Sequence, residues 1–200
     1  IANELGAILE CDAESASSNE RILRTTWERL QGIQGLPTSK PDLVIIGWST
    51  WEREEWWHEG KDYQVTASGT DDVPDALKGK YKQWVIDQND PNIINKKLID
   101  IHERIATLHV ALEDAGIPHL FFNAFTSFSN IKNLKHLGAE PIDWNGSYIG
   151  PYDEDLTYYN WLYAKGFRPK NPESYHFQAD AHRAWAEFLL QNYVQKLLTK

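Results

Sequence analysis

Two short apolar runs constrain this chain more than anything else in it. "LVIIGW" at 43–48 and "HLFFNAF" at 119–125 are continuous stretches rich in β-branched and aromatic residues. Neither shows the polar alternation of a strand with one wet face, so both read as strands buried on two faces, as in a parallel sheet. Between them, residues 92–115 predict a helix. Ile94, Leu98, Ile101, Ile105, Leu108 and Leu112 recur in steps of four and three, which lines them up as one apolar stripe. Gly116 ends it and Pro118 cannot continue it. Strand, long helix, strand is the order of a crossover between parallel strands, with helices covering the sheet faces.

The remaining segments fit around that unit. "IANELG" reads as a helix tail capped by Gly6, and "AILEC" at 7–11 as a further short strand. Ser18 is the expected N-cap of a helix that continues to about residue 33. Residues 49–75 and 126–152 read as irregular, and 77–88 as a short helix. "DEDLTYYNWLYAKG" predicts another helix. The last, over about 178–198, has a stripe of Ala181, Trp185, Phe188 or Leu189, and Leu197. The expectation is one domain over 1–200, an α/β three-layer sandwich around a central parallel sheet. Ligands of such sheets bind outside the carboxyl ends of the strands. The informative loops are therefore 12–19, 48–58, 123–130 and the one before the final helix.

Several function classes are disfavoured. No run approaches the roughly 18 apolar residues of a membrane span. A formal net charge of −9 argues against a nucleic-acid partner. The single cysteine, Cys11, excludes an intrachain disulfide and a cysteine-rich zinc site. It fits a reducing compartment or a virus particle assembled in one. There is no P-loop, no G-x-G-x-x-G with its acidic partner, no H-E-x-x-H and no G-x-S-x-G, so neither cofactor nor metal is implied. His102 and His109 fall off the apolar stripe and are expected on the surface. With no signal peptide in view, the expected location is the cytoplasm or a virion.

Chemistry-bearing residues cluster at the strand exits. "CDAESASSNER" brings Ser17 and Asn19 to a helix N-terminus, where backbone N–H groups can hold an anion or oxyanion. "GWSTWEREEWWH" sets Trp48, Ser49, Thr50, Trp51 and Arg53 at a strand tip. Arg53 can clamp a carboxylate or phosphate, or pair with Glu52 or Glu55. "PESYHFQADAH" carries Glu173 and His176 three apart, with Asp180 as an alternative carboxylate partner. A carboxylate so placed orients an imidazole for general-base work. His182, within the helix, reads as structural.

"PDLVIIGW", "SNERILR" and "ESYHFQADAHRAWAEFL" together resemble the SGNH/GDSL hydrolase family, most closely the variant common in bacteriophages. Glu173 stands where that family has its Asp, and His176 where it has the catalytic His. Ala181 and His182 stand at its Gly-His pair, with "AEFL" at 186–189 in register. The family's nucleophilic serine, in a Gly-Asp-Ser block after its first strand, has no counterpart here. Ala16 or Ser17 stands at the glycine of its oxyanion block, and Trp51 near the Asn of its third.

The resemblance implies a flavodoxin-like sheet and a serine esterase acting on an O-acyl ester of a carbohydrate or lipid. His176 and Glu173 would be catalytic, with Ser17, Asn19, Ser49, Thr50, Arg53, Trp48 and Trp51 around oxyanion and substrate. The first strand of such a sheet lies between the second and third. Its absence here leads to the expectation that an upstream segment or a partner chain supplies it. The altered blocks leave a second expectation open, a non-catalytic binding or virion structural protein that keeps the fold.

Overall fold

The computed structural model describes residues 1–32, 40–67, 69, 73–171 and 175–199. Its principal sheet has three parallel strands, β1 (Val44–Trp48), β4 (His119–Asn123) and β5 (Tyr148–Ile149), in the order β1-β4-β5. A two-stranded antiparallel hairpin, β2 (Glu54–His58) and β3 (Lys61–Val65), stands apart from it. The helices are α1 (Ala2–Leu5), α2 (Asn19–Gln31), α3 (Lys78–Asp87), α4 (Pro91–Asp114), α5 (Tyr158–Ala164), α6 (Ala179–Leu189) and α7 (Gln195–Leu198).

The strand period of two sorts the side chains into two cores. Ile46, Trp48, Phe121 and Tyr148 face α2 and α4, where Leu23, Leu98, Ile101, Ile105, Leu108 and Leu112 meet them. Leu120 and Ile149 face the other way, onto Leu162 of α5 and Ala181, Trp185 and Leu189 of α6. Helices therefore cover both faces of a parallel sheet. A third, smaller core joins the hairpin to α3 through Trp56, Val65, Tyr81 and Trp84.

α4 begins and ends one residue before its predicted span, opened by Asp90, whose side chain accepts from Asn92 N–H. His102 and His109 are not on the surface: each is 2% exposed. The buried stripe takes three positions per two turns, and the histidines hold the third of them. Each is kept there by a hydrogen bond. His102 Nε2 lies 3.0 Å from the Tyr152 hydroxyl, and His109 Nδ1 lies 2.7 Å from His119 Nε2. α6 also departs from a uniform helix. Residues Leu190–Val194 form a π turn, so the buried positions step by four from Ala181 to Trp185 to Leu189 and then by five to Val194.

Three segments differ from expectation. Residues 126–152, expected to be irregular, contain β5, which pairs with β4. Residues 49–75 are not wholly irregular: Glu59 and Gly60, both at positive φ (48° and 82°), make a two-residue turn between β2 and β3. Residues 7–11 form no strand. They run in an exposed path with Ile8 94% and Leu9 73% exposed. Ion pairs from Arg29 to Glu10 and Asp12, and from Arg21 to Glu14, tether this stretch to α2. A strand needs a backbone partner, and among the described residues β1 is paired on its β4 side alone.

Candidate functional site

The start of α2 and the exit of β1 meet at the carboxyl end of the sheet. Ser18 caps α2, its hydroxyl accepting from Arg21 N–H at 3.2 Å, while its own N–H goes to Gln64 Oε1 at 2.9 Å. Ser17 N–H points back to the Glu14 carbonyl. The first four amides of a helix have no partner within it, so Asn19 and Glu20 carry the remaining first-turn donors here. The Asn19 side chain, 2% exposed, grips the backbone of Ser49: Oδ1 accepts its N–H at 2.7 Å and Nδ2 donates to its carbonyl at 3.1 Å.

Arg53 closes the cluster. Its Nη1 donates to Ser49 Oγ at 3.1 Å and approaches the Ser17 carbonyl at 3.5 Å. Burial depresses the guanidinium from its ordinary pKa, against the attraction of the Glu52 carboxylate. Asn19, Trp51 and Arg53 line a cleft of about 40 Å³. Glu20, Lys97 and Arg104 share its wall. Glu20 Oε2 accepts Glu55 N–H at 2.8 Å, and Lys97 pairs with Glu54. Burial alone would raise Glu54, but hydrogen bonds from Lys97 and the Trp56 indole hold it below its ordinary value.

The structure thus joins Ser17, Asn19, Ser49, Trp51 and Arg53. Thr50 is half-buried beside them. Trp48 is a correction: it is fully buried, edge-on to Phe121 at 5.3 Å, and belongs to the core rather than to a cleft wall. Strand alternation explains this, because Trp48 shares the inward face with Ile46. Glu20, Lys97 and Arg104 escape a reading of the sequence alone. The signal for two of them is a seven-residue spacing on the polar face of α4, adjacent to the stripe.

His176 lies elsewhere at the same end of the sheet. It is exposed, and its carbonyl accepts Lys170 N–H at 2.9 Å. Its neighbours fix it. The Tyr175 ring meets Phe125, two residues past β4, and Tyr159. Phe177 is buried against Tyr158 and Tyr159. Glu173 lies outside the described residues. Asp180 uses Oδ1 on the N–H of Ala181 at 2.9 Å. His182 Nδ1 and the Tyr158 hydroxyl share a hydrogen bond at 2.9 Å, and burial pushes Tyr158 up to about 12, so that phenol keeps its proton.

Among the described residues, no group of three or more His, Cys, Asp or Glu side chains is arranged to hold a metal ion. No described helix is long and apolar enough to cross a membrane. No curated protein and no solved structure matches the chain. A family model does match, across residues 1–199. The chain therefore belongs to the family of unknown function DUF6071.

Proposed function

We propose that this chain is the core of an SGNH-type serine hydrolase that cleaves an O-acyl ester of a carbohydrate or lipid. The observation that carries the reading is that two groups of candidate residues lie beyond the carboxyl ends of two adjacent parallel strands. The His176 loop packs through Tyr175 onto Phe125 beyond β4, and the Ser17, Asn19, Ser49 and Arg53 cluster lies just beyond β1. Two further features support it. Three parallel strands with helices on both faces suit the last three strands of a flavodoxin-like sheet. Ala16 has φ 62°, a left-handed conformation natural to glycine, at a place where the family's oxyanion block carries glycine.

In this reading a serine outside the described residues attacks the acyl carbon, and His176 takes its proton. Glu173 or Asp180 orients the imidazole. The Asn19 and Glu20 amides at the start of α2 stabilise the oxyanion. His176 then returns the proton to the departing alcohol, and water releases the acyl group by the same route. The test is labelling of the protein expressed from its complete gene with a serine-directed fluorophosphonate. Labelling that disappears in H176A supports the hydrolase.

One observation favours a second reading, a binding protein without catalysis. The Ser17 hydroxyl is engaged by the Glu14 carbonyl and Arg21, and the Ser49 hydroxyl by Arg53. Neither meets an imidazole. Absence of labelling in the folded protein at neutral pH selects this reading.

A further inference from the structure

Arg53 differs from the other arginines near α2. Arg21, Arg24, Arg29 and Arg104 each have a carboxylate within 4 Å. Among the described residues Arg53 has none that close, only the longer-range attraction of the Glu52 carboxylate, although its side chain lines the cleft and burial weighs against its charge. A guanidinium cannot relieve that penalty by losing its proton. An anion in the cleft would give it a direct partner. The geometry leaves room for one: Nη1 is engaged with Ser49 Oγ and the Ser17 carbonyl. Nε and Nη2, the pair that faces a carboxylate side by side, have no acceptor among the described residues.

The rest of the wall selects the anion. Lys97 is matched by Glu54, and Arg104 is shared by Glu20 and Asp100. A dianionic phosphate would confront the carboxylates of Glu20, Glu54 and Asp100 on the wall and that of Glu52 nearby, with Arg53 the one wall cation lacking a close carboxylate among the described residues. A planar monoanion meets the fork of Arg53 with the least repulsion, and about 40 Å³ accommodates a group of that size. Trp51 on the same wall supplies apolar surface beside the carbon skeleton behind it.

We infer that this cleft binds the carboxylate of an acidic ligand, through a bidentate contact with Arg53. The ligand's role as a substrate, an ester whose sugar or acyl part bears a carboxylate, rests on the hydrolase reading. The anion site itself does not.

The experiment is an NMR titration of the protein with glucuronate, and with glucose as its uncharged counterpart, at low ionic strength. Glucuronate is expected to shift the Arg53 Nε–H, Trp51 indole and Asn19 side-chain signals, while glucose leaves them in place. R53Q is expected to weaken glucuronate binding at least tenfold. R53K keeps the charge but loses the fork, and is expected to weaken it at least threefold. If R53Q fails to fold, R53K decides. Equal shifts from glucose, no shifts at millimolar glucuronate, or an unchanged Kd in folded R53K would overturn the inference. Fluorophosphonate labelling is read separately. Glucuronate binding without labelling keeps the anion site and removes the hydrolase. Labelling without glucuronate binding does the reverse.

Discussion

The side chain of Asn19 pairs with the backbone of Ser49 on both sides, accepting its N–H at 2.7 Å and donating to its carbonyl at 3.1 Å. A carboxamide so placed stands in for a residue of a neighbouring strand. It ties the first turn of α2 to the chain just past β1, and it positions Ser49, on which Arg53 rests.

N19A should therefore destabilise the protein by about 1–3 kcal/mol, because a half-buried backbone N–H and C=O lose their partners together. N19D should do so as well at neutral pH, since a carboxylate can accept from Ser49 but cannot donate to it. Protonation in acid restores that donor. Urea unfolding of the two variants at pH 7 and pH 4 checks this, with the gap between N19D and N19A narrowing or reversing at the lower pH.

Gly47 sits under the ring of Phe122. A Cβ there would come within 2.6 Å of Phe122 Cζ and 2.8 Å of Cε2. G47A is expected to cost about 1–3 kcal/mol through overpacking. The double variant with F122L should recover part of that loss, measured as thermal midpoints of the four proteins in the cycle.

Burial pushes His102 down to about 4 from an ordinary 6.5. The Tyr152 hydroxyl accepts N–H bonds from Ile142 and Trp144, so its own proton goes to His102 Nε2, which must stay unprotonated. The unfolded chain protonates below about pH 6.5 while the folded one resists. Stability should thus be full above that pH and fall between 6.5 and 4, by about 3 kcal/mol at the end of the window for this one group. H102F should flatten that part of the slope in a pH series of urea midpoints, whatever its effect at pH 7.

Glu55 joins the hairpin to α2. Its two oxygens accept from Arg24 Nε and Nη2 at 2.8 Å each, and Oε1 also takes Gln64 Nε2. Its side chain is 8% exposed against 36% for Arg24. E55A should cost about 1–3 kcal/mol, less than a fully buried pair because Arg24 can reach water. Hydrogen exchange should show the β2–β3 amides opening faster, with those of β4 unchanged.

Much of the architecture is legible in the sequence because it is written in periodicity. The β1 and β4 runs, the stripe of α4, the Ser18 cap and the α6 positions 181, 185 and 189 all come from spacing. The features that escape have physical causes. The hairpin is hidden because its turn is Glu59-Gly60 and its strands are crowded with charge, so alternation does not stand out. His102 and His109 look like surface residues until Tyr152 and His119, distant in sequence, supply their partners. The apolar "AILEC" has strand composition, yet composition alone cannot supply a neighbour to pair with. At the site, Ser17, Asn19, Ser49 and Arg53 stand out because they lie just past the carboxyl ends of strands or expected strands. Glu20, Lys97 and Arg104 come from helix faces and need the packing of α2 on α4.

The rim of β1 has a consequence for how the molecule keeps company. Val44 N–H and the Trp48 carbonyl point toward β4 and its continuation, so by alternation Ile45 and Gly47 turn their amides outward. Natural sheets blunt such rims with lysine, proline or a bulge. β1 carries none of these. Among the described residues no strand lies along it, so that rim is a template on which an extended segment can pair.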